Sequence, residues 1–224
     1  MTITNGYCTA QEFKDYLKVE SFEVVDDGVI DDIITASSRL IDTHCGRTFY
    51  ARGETRYFDI PGAGGPLDIE YYDNRKSGGG ARTLYFDDDL ISITAASNGN
   101  GDVIASSSYN LHPANVGPKY ALTLKRSSSV AWEVDSAGEW ERVIAISGSW
   151  GFCNASSPAD YIAARAAADV KLACLIIAAA EYRRRSGAEV AAATVTGAGV
   201  VLTPQGIPRS ALDLINPYRR VVTV

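Results

Sequence analysis

The sequence predicts an α+β protein: a small helical bundle, made of two N-terminal helices and one long helix, with a strand-rich antiparallel β insertion and an extended C-terminal arm. Three observations predict it. Apolar residues recur close to a 3.6-residue period up to about Tyr50. From about Gly53 to Phe152 short apolar or aromatic runs alternate with turn residues, the pattern of antiparallel strands. A helical pattern returns from Ser157 to Arg185, and beyond Ala188 no core-forming pattern follows. These changes divide the chain into N-terminal helices (1–52), a β-rich insertion (53–152), a long core helix (153–187) and an arm carrying a short docking helix (188–224).

Thr9-Ala-Gln-Glu12 is a capping box, with a hydroxyl at the N-cap and a carboxylate three residues on, and it opens a short helix with Phe13, Tyr16 and Leu17 on one face. A second helix is expected after Asp26-Asp27, where acidic groups favour the positive end of the helix dipole. Its apolar residues fall at Ile30, Ile33, Ile34, Ala36, Leu40 and Ile41, and Gly46 supplies a left-handed stop.

Candidate strands in the insertion are 55–60, 83–86, 91–95, 109–112, 121–125 and 142–147, with 68–72 as one more edge strand or an excursion. Asn98-Gly-Asn-Gly-Asp102 is a hairpin signal because Asn and Gly tolerate positive φ. A second hairpin is expected between Trp132 and Trp140.

Ser157-Pro158-Ala-Asp160 gives the long helix an N-cap, a proline at the first position and an acid at the third, and Arg183-Arg184-Arg185 sits in its last turn. From Leu172 to Ala180 this helix is apolar all round, so it must be covered on every side. The expectation is that Leu172, Leu175, Ile176, Ala178 and Ala179 meet another subunit. The arm is expected to carry its apolar groups, Ile207, Leu212, Leu214, Ile215 and Tyr218, with Arg219 and Arg220, to a partner.

Of 224 residues, 46% are hydrophobic and 21% charged, which excludes wholesale disorder. No apolar run approaches the roughly 20 residues of a membrane span, and the first residues carry neither a basic start nor an apolar signal core. A net charge of −6 argues against a protein whose work is gripping nucleic acid. The four cysteines, Cys8, Cys45, Cys153 and Cys174, form no CxxC pair and read as reduced, mostly buried thiols.

Catalytic patterns are thin. His44-Cys45 ends the second helix with no spacing that completes a triad or a zinc site. Gly148-Ser-Trp-Gly151 fails the nucleophile-elbow pattern. Gly62-Ala-Gly-Gly65 and Gly197-Ala-Gly199 lack the Lys-Ser/Thr of a phosphate loop. Asp87-Asp88-Asp89 could hold a divalent cation for hydrolysis, but it lacks calcium-loop spacing and reads as a solvated turn between strands. Trp132, Trp140 and Trp150 could form a stacking platform; packing across strands is the simpler account. No catalytic residue, cofactor or metal is expected.

The order of segments resembles the head–tail connector, or head-completion adaptor, proteins of tailed bacteriophages and related gene-transfer particles. The resemblance starts at Tyr7-Cys8-Thr9 and runs through Asp31-Asp32-Ile-Ile-Thr-Ala-Ser-Ser-Arg39-Leu-Ile-Asp42 to Cys45-Gly-Arg-Thr-Phe-Tyr50. It continues through Glu54-Thr-Arg-Tyr-Phe-Asp59, Leu84-Tyr-Phe-Asp-Asp-Asp-Leu-Ile-Ser92, Ser147-Gly-Ser-Trp-Gly151, the helix ending Tyr182-Arg-Arg-Arg185, and the tail Ile207-Pro208 to Pro217-Tyr-Arg-Arg220.

The resemblance implies a structural virion protein of the neck, assembled in a bacterial cytoplasm. It implies a homo-oligomeric ring, a dodecamer in the particle, beneath the portal protein. Double-stranded DNA would pass through that ring without sequence recognition, and its far side would receive a tail-completion or stopper protein, with no membrane involved. The portal would be the receiver of the arm. An acidic tunnel agrees with passage, since it lets a polyanion slide where a basic one would grip. The alternatives are a tail-completion or stopper subunit of the same neck, and a metal-dependent hydrolase built on Asp87–Asp89.

Overall fold

The computed structural model describes residues 3, 5–18, 27–63, 82–153, 161–185, 193–196, 199–202 and 206–220. In chain order the elements are α1 (Ala10–Leu17), α2 (Asp27–Cys45), β1 (Arg52–Phe58), β2 (Thr83–Ser97), a 3-10 turn (Ser106–Ser108), β3 (Tyr109–His112), β4 (Lys119–Leu124) and β5 (Ile144–Trp150). Then follow α3 (Tyr161–Arg185), β6 (Ala193–Thr196), β7 (Gly199–Leu202), α4 (Arg209–Ile215) and a second 3-10 turn (Asn216–Tyr218). The fold is α+β. The chain divides into two compact units, one formed by Met1–Phe49 with Ala164–Val224, the other by Tyr50–Ala163.

The first unit is helical. Thr9 Oγ1 accepts the Glu12 N–H at 3.1 Å while Glu12 Oε2 accepts the Thr9 N–H at 2.9 Å, the reciprocal box the sequence predicts. The helix closes at Lys18, in the left-handed region at φ 57°. Phe13 is fully buried, with its ring edge-to-face against Tyr182 of α3 at 5.8 Å, whereas Tyr16 is 42% exposed and does not join that face. On α2 the buried set is Ile30, Ile34, Ser37, Ser38, Ile41 and Cys45, one stripe at helical spacing. Gly46 ends it at φ +64°, its N–H bonded to the Asp42 carbonyl at 2.8 Å.

Each residue of Tyr7-Cys8-Thr9 has a different task in this unit. The Tyr7 hydroxyl bonds Asp42 and accepts the Phe49 N–H, Cys8 meets Cys174, and Thr9 caps α1. The 157–160 capping sequence expected for α3 lies outside the described residues, as do the 68–72 segment and residues 197–198.

The second unit is a five-stranded antiparallel sheet in the order β1-β5-β2-β4-β3. Phe58, Leu84, Phe86, Leu90, Leu122, Leu124, Ile144, Ile146 and Trp150 fill its core, with Trp132 covering one end. The two strands expected at 83–86 and 91–95 are one strand, β2, which runs straight through Asp87–Asp89. Register shifts between Leu90 and Ser92 and between Ile93 and Ala95 mark bulges against β5. Gly148 is there because β5 passes close to the bulge: a Cβ on it would stand 2.2 Å from the Ser92 carbonyl oxygen. Gly151, at φ +140°, would likewise strike the Tyr50 carbonyl at 2.2 Å.

The Asn98–Asp102 turn forms as predicted, with Asn98 N–H on the Asp102 carbonyl at 2.8 Å and Gly101 at φ +87°. The stretch from Trp132 to Trp140 is not a pair of strands. It is a turn closed by Asp135 N–H on the Glu139 carbonyl at 3.0 Å, and it drops Trp132 into the core. Arg82 holds the neighbouring loop by donating to the carbonyls of Leu124, Lys125 and Val130.

Candidate functional site

The surfaces that could receive a partner are best found by asking which apolar groups the chain already uses. On α3, Ala173, Cys174, Leu175, Ile177, Ala178 and Ala179 are buried within the chain. Three sets of contacts explain how a helix apolar all round is accommodated. Phe13 and Cys8 reach it from α1 and the segment before it, Ser38 from α2, and Tyr218 from the C-terminal turn. The expectation that Leu175, Ala178 and Ala179 are left for another subunit is therefore corrected: their own unit covers them. Leu172, 42% exposed, and the half-buried Ile176 keep accessible surface.

The C-terminal segment is corrected in the same way. Instead of a free arm with an apolar tip, α4 and its 3-10 turn lie on the end of α2. Ile215 and Tyr218 are buried, as is Ala211. The Cys45 carbonyl accepts the Arg220 N–H at 2.7 Å, the Cys45 thiol points to the Ile215 carbonyl, and His44 Nε2 lies 2.9 Å from Asn216 Oδ1. Phe49 stacks edge-on against Tyr218 at 6.2 Å and against Tyr7 at 5.9 Å. Ile207, Leu212 and Leu214 are half-buried, Arg220 is half-buried and Arg219 is exposed. His44-Cys45 thus serves as an anchor for the tail. Burial pushes the Cys45 thiol up to about 11, which makes it a poor nucleophile.

Within the helical unit one open groove of about 450 Å³ runs between α2 and α3. Its floor is Val29, Ile33, Ala36, Leu40 and Ile177, and Asp32, Glu181 and Arg185 stand at the rim. Leu40 is 40% exposed there. The apolar periodicity of α2 contained this groove, since Ile33, Ala36 and Leu40 fall off the stripe made by Ile30, Ile34 and Ile41.

The acidic run lies in the sheet unit and is neutralised from β1. Arg56 donates to Glu54 Oε1 at 2.7 Å, Asp87 Oδ1 at 2.8 Å and Asp88 Oδ2 at 2.9 Å, and Arg52 reaches the same Asp88 oxygen at 2.6 Å. The Arg56 guanidinium also lies 4.8 Å from the centre of the Trp150 ring. Asp87–Asp89 is therefore no solvated turn: Asp88 and Asp89 are buried in mid-strand. Two arginines occupy the carboxylate oxygens of Asp87 and Asp88 that a cation would need, and no group of three or more His, Cys, Asp or Glu side chains gathers to hold a metal among the described residues. Trp132 and Trp150 are too buried to serve as a stacking platform. No described helix is long and apolar enough to cross a membrane.

No protein-family model and no curated protein matches this chain. Solved structures do. The chain matches over its whole length, and over 95% of the other chain, a component of the neck of an empty gene transfer agent particle computed with C6 symmetry, at a TM-score of 0.51 and 14% identity. It also matches a chain of the virion of a native gene transfer agent particle with the same coverages, a TM-score of 0.49 and 13% identity. At this identity the first likeness is one of fold.

Proposed function

We propose that this chain is a structural subunit of the neck of a phage-like particle: a head–tail connector that forms a ring beneath the portal, extends the DNA channel and offers the platform for tail attachment. The observation that carries this reading is the end-to-end fold likeness to a chain of a gene transfer agent neck, in which both the helical and the sheet unit have counterparts. The order of sequence segments supports it independently. The chemistry agrees with it, because the acidic run at Asp87–Asp89 is paired with arginines and the reactive-looking His44-Cys45 holds the tail.

The work of such a subunit is geometric. Copies arranged around an axis need one adhesive face and one that receives it. Within the described helical unit, the groove between α2 and α3, the exposed Leu172 and the half-buried Ile176 offer apolar surface to neighbours. A net charge of −6 agrees with a channel that lets DNA slide rather than gripping it. Among the described residues of the tail, the half-buried Ile207, Leu212 and Leu214 with Arg219 and Arg220 keep surface for a portal to contact.

Co-expression with a portal protein from the same genome tests the role. The connector reading expects a co-purifying complex with a ring of this chain on the portal. Binding to the tail tube or tail-completion protein without the portal would move the chain to the stopper position instead.

A further inference from the structure

Two of the four cysteines meet. Cys8 precedes α1 and Cys174 sits mid-way along α3, 166 residues apart in sequence, yet their Sγ atoms are 3.6 Å apart. Both are buried, at 4% and 0% exposure, and Ser38 Oγ lies 3.5 Å from Cys174 Sγ. Nothing in the spacing of the cysteines announced the pair, because the fold of the helical unit makes it. We propose that Cys8 and Cys174 are a modification site, oxidised by a peroxide to an intrachain disulfide that staples the two sequence-separated halves of the helical unit.

The geometry asks for a modest closure. A disulfide needs its sulfurs about 2.05 Å apart, and the two are already in contact. Cys8 stands outside any helix, so rotation of its side chain with a small shift of a short irregular segment brings the atoms together without unwinding α3.

The surroundings also choose the attacking sulfur. Donation from the Cys8 thiol, aided by Ser38 and the backbone N–H groups of Tyr7 and Cys8, pulls the Cys174 thiol below its ordinary value despite burial. Giving its proton towards Cys174, and then burial, pushes the Cys8 thiol up. Cys174 is thus the first thiolate. It attacks one peroxide oxygen; an S–O bond forms, the O–O bond breaks, and the departing hydroxide takes the proton that Cys174 released, leaving as water. The Cys8 sulfur then attacks the sulfenic sulfur of Cys174. The S–S bond forms, the S–O bond breaks, and hydroxide leaves with the Cys8 proton as a second water. Two thiols lose two electrons and one peroxide is reduced to two waters.

The cross-link joins Met1–Phe49 to Ala164–Val224, so it closes a loop that contains the whole sheet unit. A loop of that length gives a large reduction in the freedom of the unfolded chain. Cys45 and Cys153 act as internal references, since burial pushes each thiol up to about 11.

The test uses the full-length protein treated with excess hydrogen peroxide, then unfolded in N-ethylmaleimide, digested and analysed by mass spectrometry without reductant. The expected product is one Cys8–Cys174 linked peptide, two hydrogens lighter than the separate peptides, with Cys45 and Cys153 alkylated. Tm should rise by about 10 °C and fall back with reductant. Cys8→Ser, which keeps the side chain's size, should lose both the linked peptide and the shift. Recovery of Cys8 and Cys174 both alkylated, oxidation of either to sulfinic acid without a link, or a link from Cys174 to another cysteine would each overturn the proposal.

Discussion

Tyr218 donates its phenolic hydrogen to Asp169 Oδ2 across 2.5 Å, and so ties the last turn of the described chain to the first half of α3. The bond is charge-assisted and partly buried, with Arg165 Nε 3.6 Å from the same carboxylate oxygen. A tail held this way is part of the helical unit. Tyr218→Phe is expected to cost about 1.5–3 kcal/mol, the range for a hydrogen bond to a charged group. Tyr218→Ala, which also removes the ring that packs on Phe49, should cost about 3–5 kcal/mol. Urea unfolding of the two variants checks both, and a chain cut after Gly187 should unfold at lower urea than the intact one.

The second prediction concerns Arg56, which bridges Glu54, Asp87 and Asp88. Removing it leaves the buried Asp88 carboxylate with Arg52 and the Asp89 N–H. Arg56→Ala should destabilise the protein by about 2–4 kcal/mol, at the lower end of the range for a broken buried pair because part of the network is wet. Arg56→Lys should recover less than half of that, since one ammonium cannot span three carboxylates. Magnesium or calcium should leave the Tm of the wild type unchanged, which a thermal scan with and without the ion decides.

The third is a pH dependence. Lys171 Nζ lies 2.7 Å from Glu12 Oε1 and, with the Thr9 N–H, holds the Glu12 carboxyl below its usual value. The sign follows from that depression. The contribution is fully present above the ordinary carboxylate value of about 4.3 and is lost as pH falls through the lower folded value. In Lys171→Ala the Glu12 titration, followed by NMR, should move up towards the ordinary value. An unmoved midpoint would show that the ion pair is not what sets it.

The fourth separates covered from uncovered apolar groups on α3. Ala178→Glu places a charge at a fully buried position and should prevent stable folding of the helical unit. Leu40→Glu and Leu172→Glu lie on accessible surface and should change stability by no more than about 0.5 kcal/mol. On the proposed function, those two surface variants should still fold yet enter particles poorly. Denaturation curves and the amount of chain in purified particles read the two effects separately.

Local chemistry was legible where it is local. The Thr9–Glu12 box, the Gly46 stop and the Asn98–Asp102 turn each depend on residues within five positions, and each stands where the pattern puts it. Asp87–Asp89 was misread because the charges that let it enter a strand, Arg52 and Arg56, lie on another strand more than 30 residues away. An alternation of Arg, Glu and Arg at 52, 54 and 56 was the available signal, since it places three ionic groups on one face of one strand.

The apolar girdle of α3 was read as a subunit contact for a similar reason. Periodicity states that a face is covered without saying by what, and the cover proved to include the chain's own tail. That tail looked free because its anchors, Cys45 and Asp169, belong to elements far from it in sequence. The β6–β7 pair was missed because each strand is only four residues long, and the alternation in Ala193-Thr-Val-Thr196 has no counterpart in Gly199-Val-Val-Leu202.

The central claim is a place in a particle, and cryo-electron microscopy of particles released by cells that encode this chain tests it most directly. A Fab raised against the chain marks its position. The account predicts a closed ring of this chain at the head–tail junction, between the portal and the tail, around the DNA path. Particles complete without it, or the Fab on the capsid shell or along the tail tube, would contradict the account.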